Sequence, residues 1–146
     1  LCRGRLVEAA AGLDEATLLD PGHAAGHLLL GYAHDHLGRP ERAAERFALA
    51  SALMKADPRP YRYWARAELV QGRPERAVRV YGLALDRTGT PGLDAEYRYQ
   101  RGHARLLLGR YPDAADDFSA AVGLHPVAAR LGRSVARENL GDAVGA

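Results

Sequence analysis

The stretch from Gly38 to Phe47 reads GRPERAAERF, and thirty-four residues later the stretch from Gly72 to Tyr81 reads GRPERAVRVY. Each copy follows a segment with helix-like composition and leads into another one. Glycine readily adopts the left-handed conformation that ends a helix. A proline two residues later suits the first turn of the next helix, where its missing N–H is not needed. The repeated stretch therefore predicts a tight connection between two antiparallel helices.

A third copy, GRYPDAADDF, begins at Gly109, so the chain repeats one unit three times. In every copy two small residues flank one aromatic residue, at five, nine and twelve residues after the glycine. Spacings of four and three place these side chains on one face of a helix. We expect this helix to approach its neighbours closely over alanine and to fill one gap with a ring. The residues are Ala43, Phe47 and Ala50; Ala77, Tyr81 and Ala84; and Ala114, Phe118 and Ala121.

Weaker copies border these three at both ends of the chain. A partial copy begins at Gly4, and a last helix is expected to end at Gly141, which matches the glycines of the connections. At the same distances from Gly4 stand Ala9, Leu13 and Ala16.

The third copy is displaced from the regular spacing. Gly109 follows Gly72 by thirty-seven residues instead of thirty-four, so three extra residues must be accommodated. The stretch TGTPGLD, residues 88–94, is rich in glycine, proline and threonine, which favour loops. The sequence therefore predicts a longer loop at residues 88–94.

Composition and charge limit the class of protein. The chain has 146 residues, 47% of them hydrophobic and 7% aromatic, and its net charge is +2. Residues 58–110 carry eleven basic and five acidic side chains, a balance of +6, whereas residues 1–57 and 111–146 each have a balance of −2. The single cysteine, Cys2, excludes an internal disulfide and favours a cytoplasmic setting. The chain begins with Leu1 rather than methionine, so we expect a fragment of a longer, arginine-rich bacterial protein.

The three copies resemble the tetratricopeptide repeat family, whose unit of 34 residues places small residues, a glycine and one aromatic residue at these positions. The resemblance implies an all-α fold, an α-α superhelix built from antiparallel helix pairs. It also implies a single domain over residues 1–146. The expected parts are a partial repeat at 1–21, repeats at 24–57, 58–91 and 95–126, and a terminal helix at 127–141.

The resemblance further implies that the first helix of each repeat lines a concave groove. Arg59, Arg62 and Arg66 recur at spacings of three and four, and so form one stripe within the basic segment. Arginine binds carboxylates through two parallel hydrogen bonds, and tyrosine adds apolar area with a polar end. We therefore predict a groove for an acidic peptide or partner domain. The predicted lining residues are Leu28, Tyr32, His36, Arg59, Arg62, Tyr63, Arg66, Tyr99 and His103.

Other functions receive less support from the sequence. The lysine and asparagine with which some chaperone-binding family members hold a terminal carboxylate are replaced by Leu28 and Tyr32. His23, His27 and His34 share a helical stripe but lack the cysteine or HExxH context of a zinc site, so we expect no metal and no cofactor.

No phosphate-binding glycine loop or nucleophile elbow is present, so we expect no enzyme activity. Asp116 and Asp117 are interpreted as a solvated helix face. Interleaved arginine and aromatic residues at 59–66 resemble stacking platforms for nucleic acid, but neighbouring helix residues face different directions. The alternatives kept open are self-association through an incomplete last repeat, and a regulatory arm of a larger bacterial transcriptional or signalling protein.

Overall fold

The computed structural model describes residues 2–123 and 126–145. Over these residues the chain forms eight α-helices and no β-strand. Contacts divide the chain into two compact units, residues 1–73 and 74–146. The helices are α1 (Cys2–Leu19), α2 (Ala24–His36), α3 (Pro40–Leu53) and α4 (Arg59–Val70) in the first unit, and α5 (Pro74–Leu85), α6 (Pro91–Leu107), α7 (Tyr111–Ala120) and α8 (Pro126–Gly145) in the second.

In the first unit α1 packs on α2, and both α2 and α4 pack on α3. Phe47 on α3 is 1% exposed and lies at the centre of a core otherwise made largely of alanine. Because alanine side chains are short, the three helices can approach closely and leave one gap that the ring fills. The buried members of this cluster are Leu28, Ala43, Ala44, Phe47, Ala50 and Ala67.

In the second unit α5 packs on α6, α6 on α7, and α7 on α8. The core repeats the same design around Phe118 on α7, which is fully buried. The alanines around it are Ala114, Ala121, Ala129 and Ala136. The expected pattern of small, aromatic and small residues is therefore buried in both units.

Two glycines on facing helices make room for the second ring. A Cβ atom added to Gly102 on α6 would lie 3.0 Å from the ring of Phe118, and one added to Gly132 on α8 would lie 2.9 Å from it. In the first unit a Cβ on Gly31 would lie 2.6 Å from Phe47. At Gly31 and Gly132 these distances are shorter than real carbon contacts, so a side chain there would force the ring to move, whereas at Gly102 the contact would be tight.

The three hinge glycines end their helices in the same way. Gly38, Gly72 and Gly109 have φ of 69°, 70° and 69°. At the first hinge the N–H of Gly38 donates to the carbonyl of Asp35 at 3.0 Å, and the N–H of Arg39 donates to that of His34 at 2.9 Å. The other two hinges repeat both bonds, which satisfy the last carbonyls of the helix.

The extra three residues lengthen a helix rather than a loop, so the prediction of a longer loop at residues 88–94 is wrong. Helix α6 begins at Pro91 and has 17 residues, against 12 in α4. The connections before α4 and α6, residues 54–58 and 86–90, both have five residues. Pro91 suits the first turn and Asp94 follows in it, where a negative charge is favourable, so the chain becomes helical earlier.

The last helix does not end at Gly141, because α8 continues to Gly145. The hinge glycines are followed by Arg-Pro or Arg-Tyr-Pro, whereas Gly141 is followed by Asp-Ala. Without a proline that starts a new helix, glycine is tolerated inside the existing one at a cost of about 1 kcal/mol.

The first helix also differs from the prediction, since α1 passes through Gly4 without a hinge. Ala9 and Ala16 are exposed, whereas Ala10 and Thr17 are buried. The packed face of α1 is therefore rotated by one residue from the expected stripe. The apolar cluster shared with α2 comprises Leu6, Ala10, Leu13, Leu30, Ala33 and Leu37.

Candidate functional site

Two tyrosines predicted to line the groove meet where α2 and α4 pack over α3. The rings of Tyr32 and Tyr63 contact edge to face, with centroids 4.7 Å apart. Both also touch Phe47, with centroid distances of 5.5 Å to each ring. The rings are partly exposed, so this buried phenylalanine supports an aromatic surface that reaches solvent.

Three arginines of α4 accompany the tyrosine pair, and one of them contacts it directly. The guanidinium carbon of Arg62 lies 5.8 Å from the ring centroid of Tyr63, within the range of a cation–π contact. Arg66 forms an ion pair with Asp35 of α2. Its reach across to α2 places it on the same side of the unit as the tyrosines. We call this face the tyrosine surface; it comprises Tyr32, Tyr63, Arg59, Arg62 and Arg66.

Arg59 is held in place by the loop before its own helix. Both oxygens of Asp57 accept from the Arg59 Nε atom at 3.0 Å, and Oδ2 accepts from Nη2 at 2.6 Å. The backbone N–H of Arg59 also donates to Asp57 Oδ1 at 2.9 Å. The side-chain hydrogen bond from Arg59 lowers the pKa of the Asp57 carboxyl below its usual value.

The hydroxyl group of Tyr32 stays uncharged and adds no negative charge to this surface. Burial and a hydrogen bond with Tyr63 raise the pKa of Tyr32 far above its usual value, so the phenol stays protonated. The positive charge of Arg59 opposes this shift. The charges of Arg59, Arg62 and Arg66 against Asp35 and Asp57 sum to +1, so the surface is only weakly basic.

Two further predicted lining residues of the first unit, Leu28 and His36, are not part of the tyrosine surface. Leu28 is 8% exposed and packs in the core cluster around Phe47, so its prediction as a groove residue is wrong. Its neighbour Leu29 is 51% exposed instead, because the helix rotates by about 100° per residue. His36 is exposed at the end of α2.

The remaining two predicted residues, Tyr99 and His103, lie together on α6 in the second unit. Their rings meet edge to face at 4.7 Å, and both contact Phe118, at 5.8 Å and 5.3 Å. Part of the imidazole is exposed, whereas the packed part loses water, which lowers the pKa of His103. Leu107, one turn further along α6, is 71% exposed. We call Tyr99, His103 and Leu107 the histidine surface.

The sequence interpretation of Asp117 is wrong, since this residue is 2% exposed. Arg101 donates to it from Nε at 2.9 Å and from Nη2 at 2.8 Å, and Arg105 donates from Nη1 at 2.7 Å. Adjacent helix residues point about 100° apart, so Asp116 can face solvent while Asp117 faces α6. The signal available in the sequence was its spacing, three residues after Ala114 and four before Ala121, which puts it on the buried face of α7.

A polar cleft lies between α1, α2 and α3, with a volume of about 220 Å³. Its lining residues are Asp14, His34, Arg42, Glu45 and Arg46. Arg46 donates to Asp14 Oδ1 at 3.0 Å. His34 is 2% exposed and its Nδ1 atom has no hydrogen-bond partner, and its burial lowers its pKa.

Within the described residues, no three side chains of histidine, cysteine, aspartate or glutamate converge in a way that could hold a metal ion. His27 is instead part of the packing: it hydrogen-bonds through Nε2 to the carbonyl of Pro21 at 2.9 Å. The same part of the chain contains no helix with the length and apolar character needed to cross a membrane.

Comparison with known families identifies the class of protein. A model of the tetratricopeptide repeat matches residues 3–59, 64–129 and 99–146. The chain therefore belongs to the tetratricopeptide repeat family. Members of this family are generally non-catalytic scaffolds for protein–protein interaction. The predicted all-α helical-repeat fold, of the α-α superhelix class, is confirmed.

Solved structures share this fold at low sequence identity. MamA is 18% identical with a TM-score of 0.85, and the match covers 96% of this chain and 81% of that one. A tetratricopeptide repeat protein from Parabacteroides merdae is 24% identical with a TM-score of 0.81, covering 95% and 55%. YrrB, described as having an unusual peptide-binding site, is 20% identical with a TM-score of 0.80, covering 93% and 71%. No curated protein sequence matches the chain.

Proposed function

We propose that the chain is a non-catalytic interaction module that binds an acidic peptide or partner segment at the tyrosine surface. The observation that carries this proposal is the partly exposed edge-to-face pair of Tyr32 and Tyr63, which packs on the buried Phe47 and shares its side of the unit with three arginines of α4. Tyrosine and arginine are the residue types that most often dominate binding energy at interfaces.

Support for an aromatic anchor comes from packing. Phe47 is 1% exposed and fixes both tyrosine rings from below, so little side-chain entropy remains to be lost when a partner covers them. An apolar side chain of the partner would bury area on these rings.

Support for an acidic partner comes from Arg62 and Arg66, whose guanidinium groups can donate to carboxylates. The tyrosine surface and its two paired aspartates have a net charge of only +1. Long-range attraction of an acidic peptide is therefore weak, and binding depends on direct contacts with the arginines. Relatives add support to the general role, since YrrB is described by its peptide-binding site.

The experiment compares two double variants on an array of short peptides that combine acidic residues with apolar anchors. Arg62→Ala with Arg66→Ala removes two charges at the tyrosine surface. Arg130→Ala with Arg137→Ala removes two exposed charges on α8. We expect the first double variant to weaken binding of acidic peptides by about tenfold or more, because the net contribution of even one hydrogen bond to a charged group is about 1.5–3 kcal/mol and about 1.4 kcal/mol is a factor of ten.

The control pair on α8 is expected to change affinity by less than about twofold, because scattered surface charges act only through screened long-range fields. Circular dichroism and urea unfolding of both double variants would verify that each remains folded. Equal binding by the first double variant and the unchanged chain would overturn the proposal, as would an array in which acidic peptides are not enriched.

A second candidate function is self-association through α8. Val127, Leu131 and Val135 recur at spacings of four on this helix and are 71%, 63% and 45% exposed. Such an apolar stripe can be buried against a second copy. Mass measured by light scattering over a range of concentrations tests this, with Leu131→Glu as the variant that should abolish any dimer. The role as a regulatory arm of a larger bacterial, cytoplasmic protein remains a proposal for the full-length context.

A further inference from the structure

Two arginines of the tyrosine surface are occupied by carboxylates of the protein itself. Arg66 pairs with Asp35, and Arg59 pairs with Asp57. The two arginine side chains are 55% and 62% exposed, whereas the aspartates are 16% and 19% exposed. An incoming acidic partner therefore meets guanidinium groups that are accessible but already bonded.

The ion pair between α2 and α4 follows the tyrosine pair along both helices. Asp35 stands three residues after Tyr32, and Arg66 stands three residues after Tyr63. Residues three apart are neighbours on a helix face, so the ion pair lies next to the tyrosine pair. The carboxylate of Asp35 thus occupies a position beside the aromatic surface, where a carboxylate of a bound partner would be held.

The two internal carboxylates are bound to different extents. Asp57 receives the backbone N–H, Nε and Nη2 of Arg59, and it precedes that arginine by only two residues. Asp35 receives Nη2 of Arg66, which comes from a helix 31 residues further along the chain. Displacing Asp57 would break several bonds and release the start of α4, whereas displacing Asp35 requires the exchange of one contact to an exposed arginine.

Resting on the proposed function, we propose that Asp35 is an internal competitor for the partner: an acidic side chain of the partner replaces Asp35 at Arg66. Before the exchange Asp35 forms an ion pair with Arg66 and so weakens the attraction of Arg66 for other anions. During the exchange the partner must break this pair and tolerate the negative charge of Asp35 nearby. Asp35 thereby lowers the affinity for acidic partners and favours those that also bury an anchor on Tyr32 and Tyr63.

The test uses Asp35→Asn, which keeps the shape of the side chain and removes its charge. The matched control is Asp116→Asn on α7, an exposed aspartate whose substitution changes the net charge by the same amount. The probe is the acidic peptide that binds the unchanged chain most tightly on the array, labelled with fluorescein. A second probe has each of its glutamates replaced by glutamine.

We expect Asp35→Asn to bind the acidic probe up to about fivefold more tightly, in line with the coupling of a charge pair that is partly exposed to solvent. Asp116→Asn should change this affinity by less than about twofold, because salt screens a solvated charge that does not contact the peptide. The glutamine probe should not distinguish Asp35→Asn from the unchanged chain. In an Arg66→Ala background the gain from Asp35→Asn should disappear, because the competing pair no longer exists.

The outcomes separate this inference from the proposed function. Binding of the acidic probe that depends on Arg62 and Arg66, but is the same in Asp35→Asn and Asp116→Asn, would overturn the competition by Asp35 and leave the proposed function standing. Tighter binding that persists with Arg66→Ala would also overturn it, since the gain would then be general electrostatics. Failure of every acidic peptide to bind would overturn both.

Discussion

Arg101 on α6 holds Asp117 on α7 through two parallel hydrogen bonds of 2.9 Å and 2.8 Å, and the carboxylate is 2% exposed. Arg105 adds a third bond of 2.7 Å. Two arginines therefore share one carboxylate in a largely dehydrated space. Such a cluster is costly to assemble but still more costly to break, because removing one partner leaves the other charges buried and uncompensated.

We predict that Asp117→Asn lowers the free energy of unfolding by about 3–5 kcal/mol, the range for breaking a buried ion pair. Urea unfolding followed by circular dichroism measures the change. Asp116→Asn, one residue away on the exposed side of the same helix, should stay within about 0.5 kcal/mol of the unchanged chain. Similar unfolding curves for both variants would show that the cluster contributes nothing to stability.

The contacts between glycine and aromatic rings give a second prediction. A Cβ atom on Gly31 would lie 2.6 Å from the ring of Phe47, so Gly31→Ala should destabilise the chain by about 1–3 kcal/mol through overpacking. Gly12 is exposed within α1 and a Cβ there meets nothing within 4 Å. Gly12→Ala should therefore stabilise by about 0.5–1 kcal/mol, the difference in helix propensity.

Rescue by a smaller side chain distinguishes overpacking from other effects of Gly31→Ala. Phe47→Leu alone should destabilise, because it opens a cavity. Combined with Gly31→Ala, it should cost less than the sum of the two single changes, since the added methyl fills part of that cavity. Additive unfolding free energies would contradict the proposed contact.

The repeat units and their hinges could be predicted because each depends on local chemistry. The left-handed glycine at position 38 and the buried ring of Phe47 both follow from residue types at fixed spacing. The end of α8 could not be predicted in this way: Gly141 permits a hinge but does not enforce one. The start of α6 was missed for a similar reason, since Pro91 and Asp94 are found both in loops and in first helical turns.

The candidate surface was predictable only in part. The family resemblance placed Tyr32, Tyr63 and Arg66 in one groove. In the structure the two tyrosine rings meet, and Arg66 reaches Asp35 of α2. The partner of Arg66 could not be derived, because Asp35 meets it through the packing of two helices and stands 31 residues earlier in the sequence. The burial of Leu28 instead of Leu29 shows that a shift of one residue in helix register is enough to exchange a lining residue for a core residue.

Because His34 is buried, we predict that the chain loses stability in weak acid. Its folded-state pKa is lowered by burial, so the unfolded chain binds a proton more readily than the folded chain. The contribution of neutral His34 to the free energy of unfolding is fully present above the ordinary histidine pKa of about 6.5. It decreases as the pH falls below that value, until the lowered pKa of the folded state is passed. His34→Leu removes this titration and the unpartnered Nδ1 atom, so it should flatten the unfolding free energy between about pH 7 and pH 5.

A control is needed because His103 has a pKa shifted in the same direction. His103→Gln should remove a further part of the pH dependence, separate from the part that His34→Leu removes. Unfolding free energies measured in urea at several pH values give the slopes directly. An identical slope in His34→Leu and the unchanged chain would exclude His34 as a source of the acid sensitivity.

Gly38 and Gly141 provide a matched test of why one glycine ends a helix and the other does not. An added Cβ meets nothing within 4 Å at either position, so steric contact with other residues is the same. Gly38 has φ of 69°, where alanine costs about 1–2 kcal/mol, whereas Gly141 lies inside α8, where alanine is favoured by about 1 kcal/mol. Gly38→Ala should therefore destabilise the chain and Gly141→Ala should stabilise it or raise its helix content. Destabilisation by both changes would mean that residue 141 is a hinge, as its match to the repeat suggested.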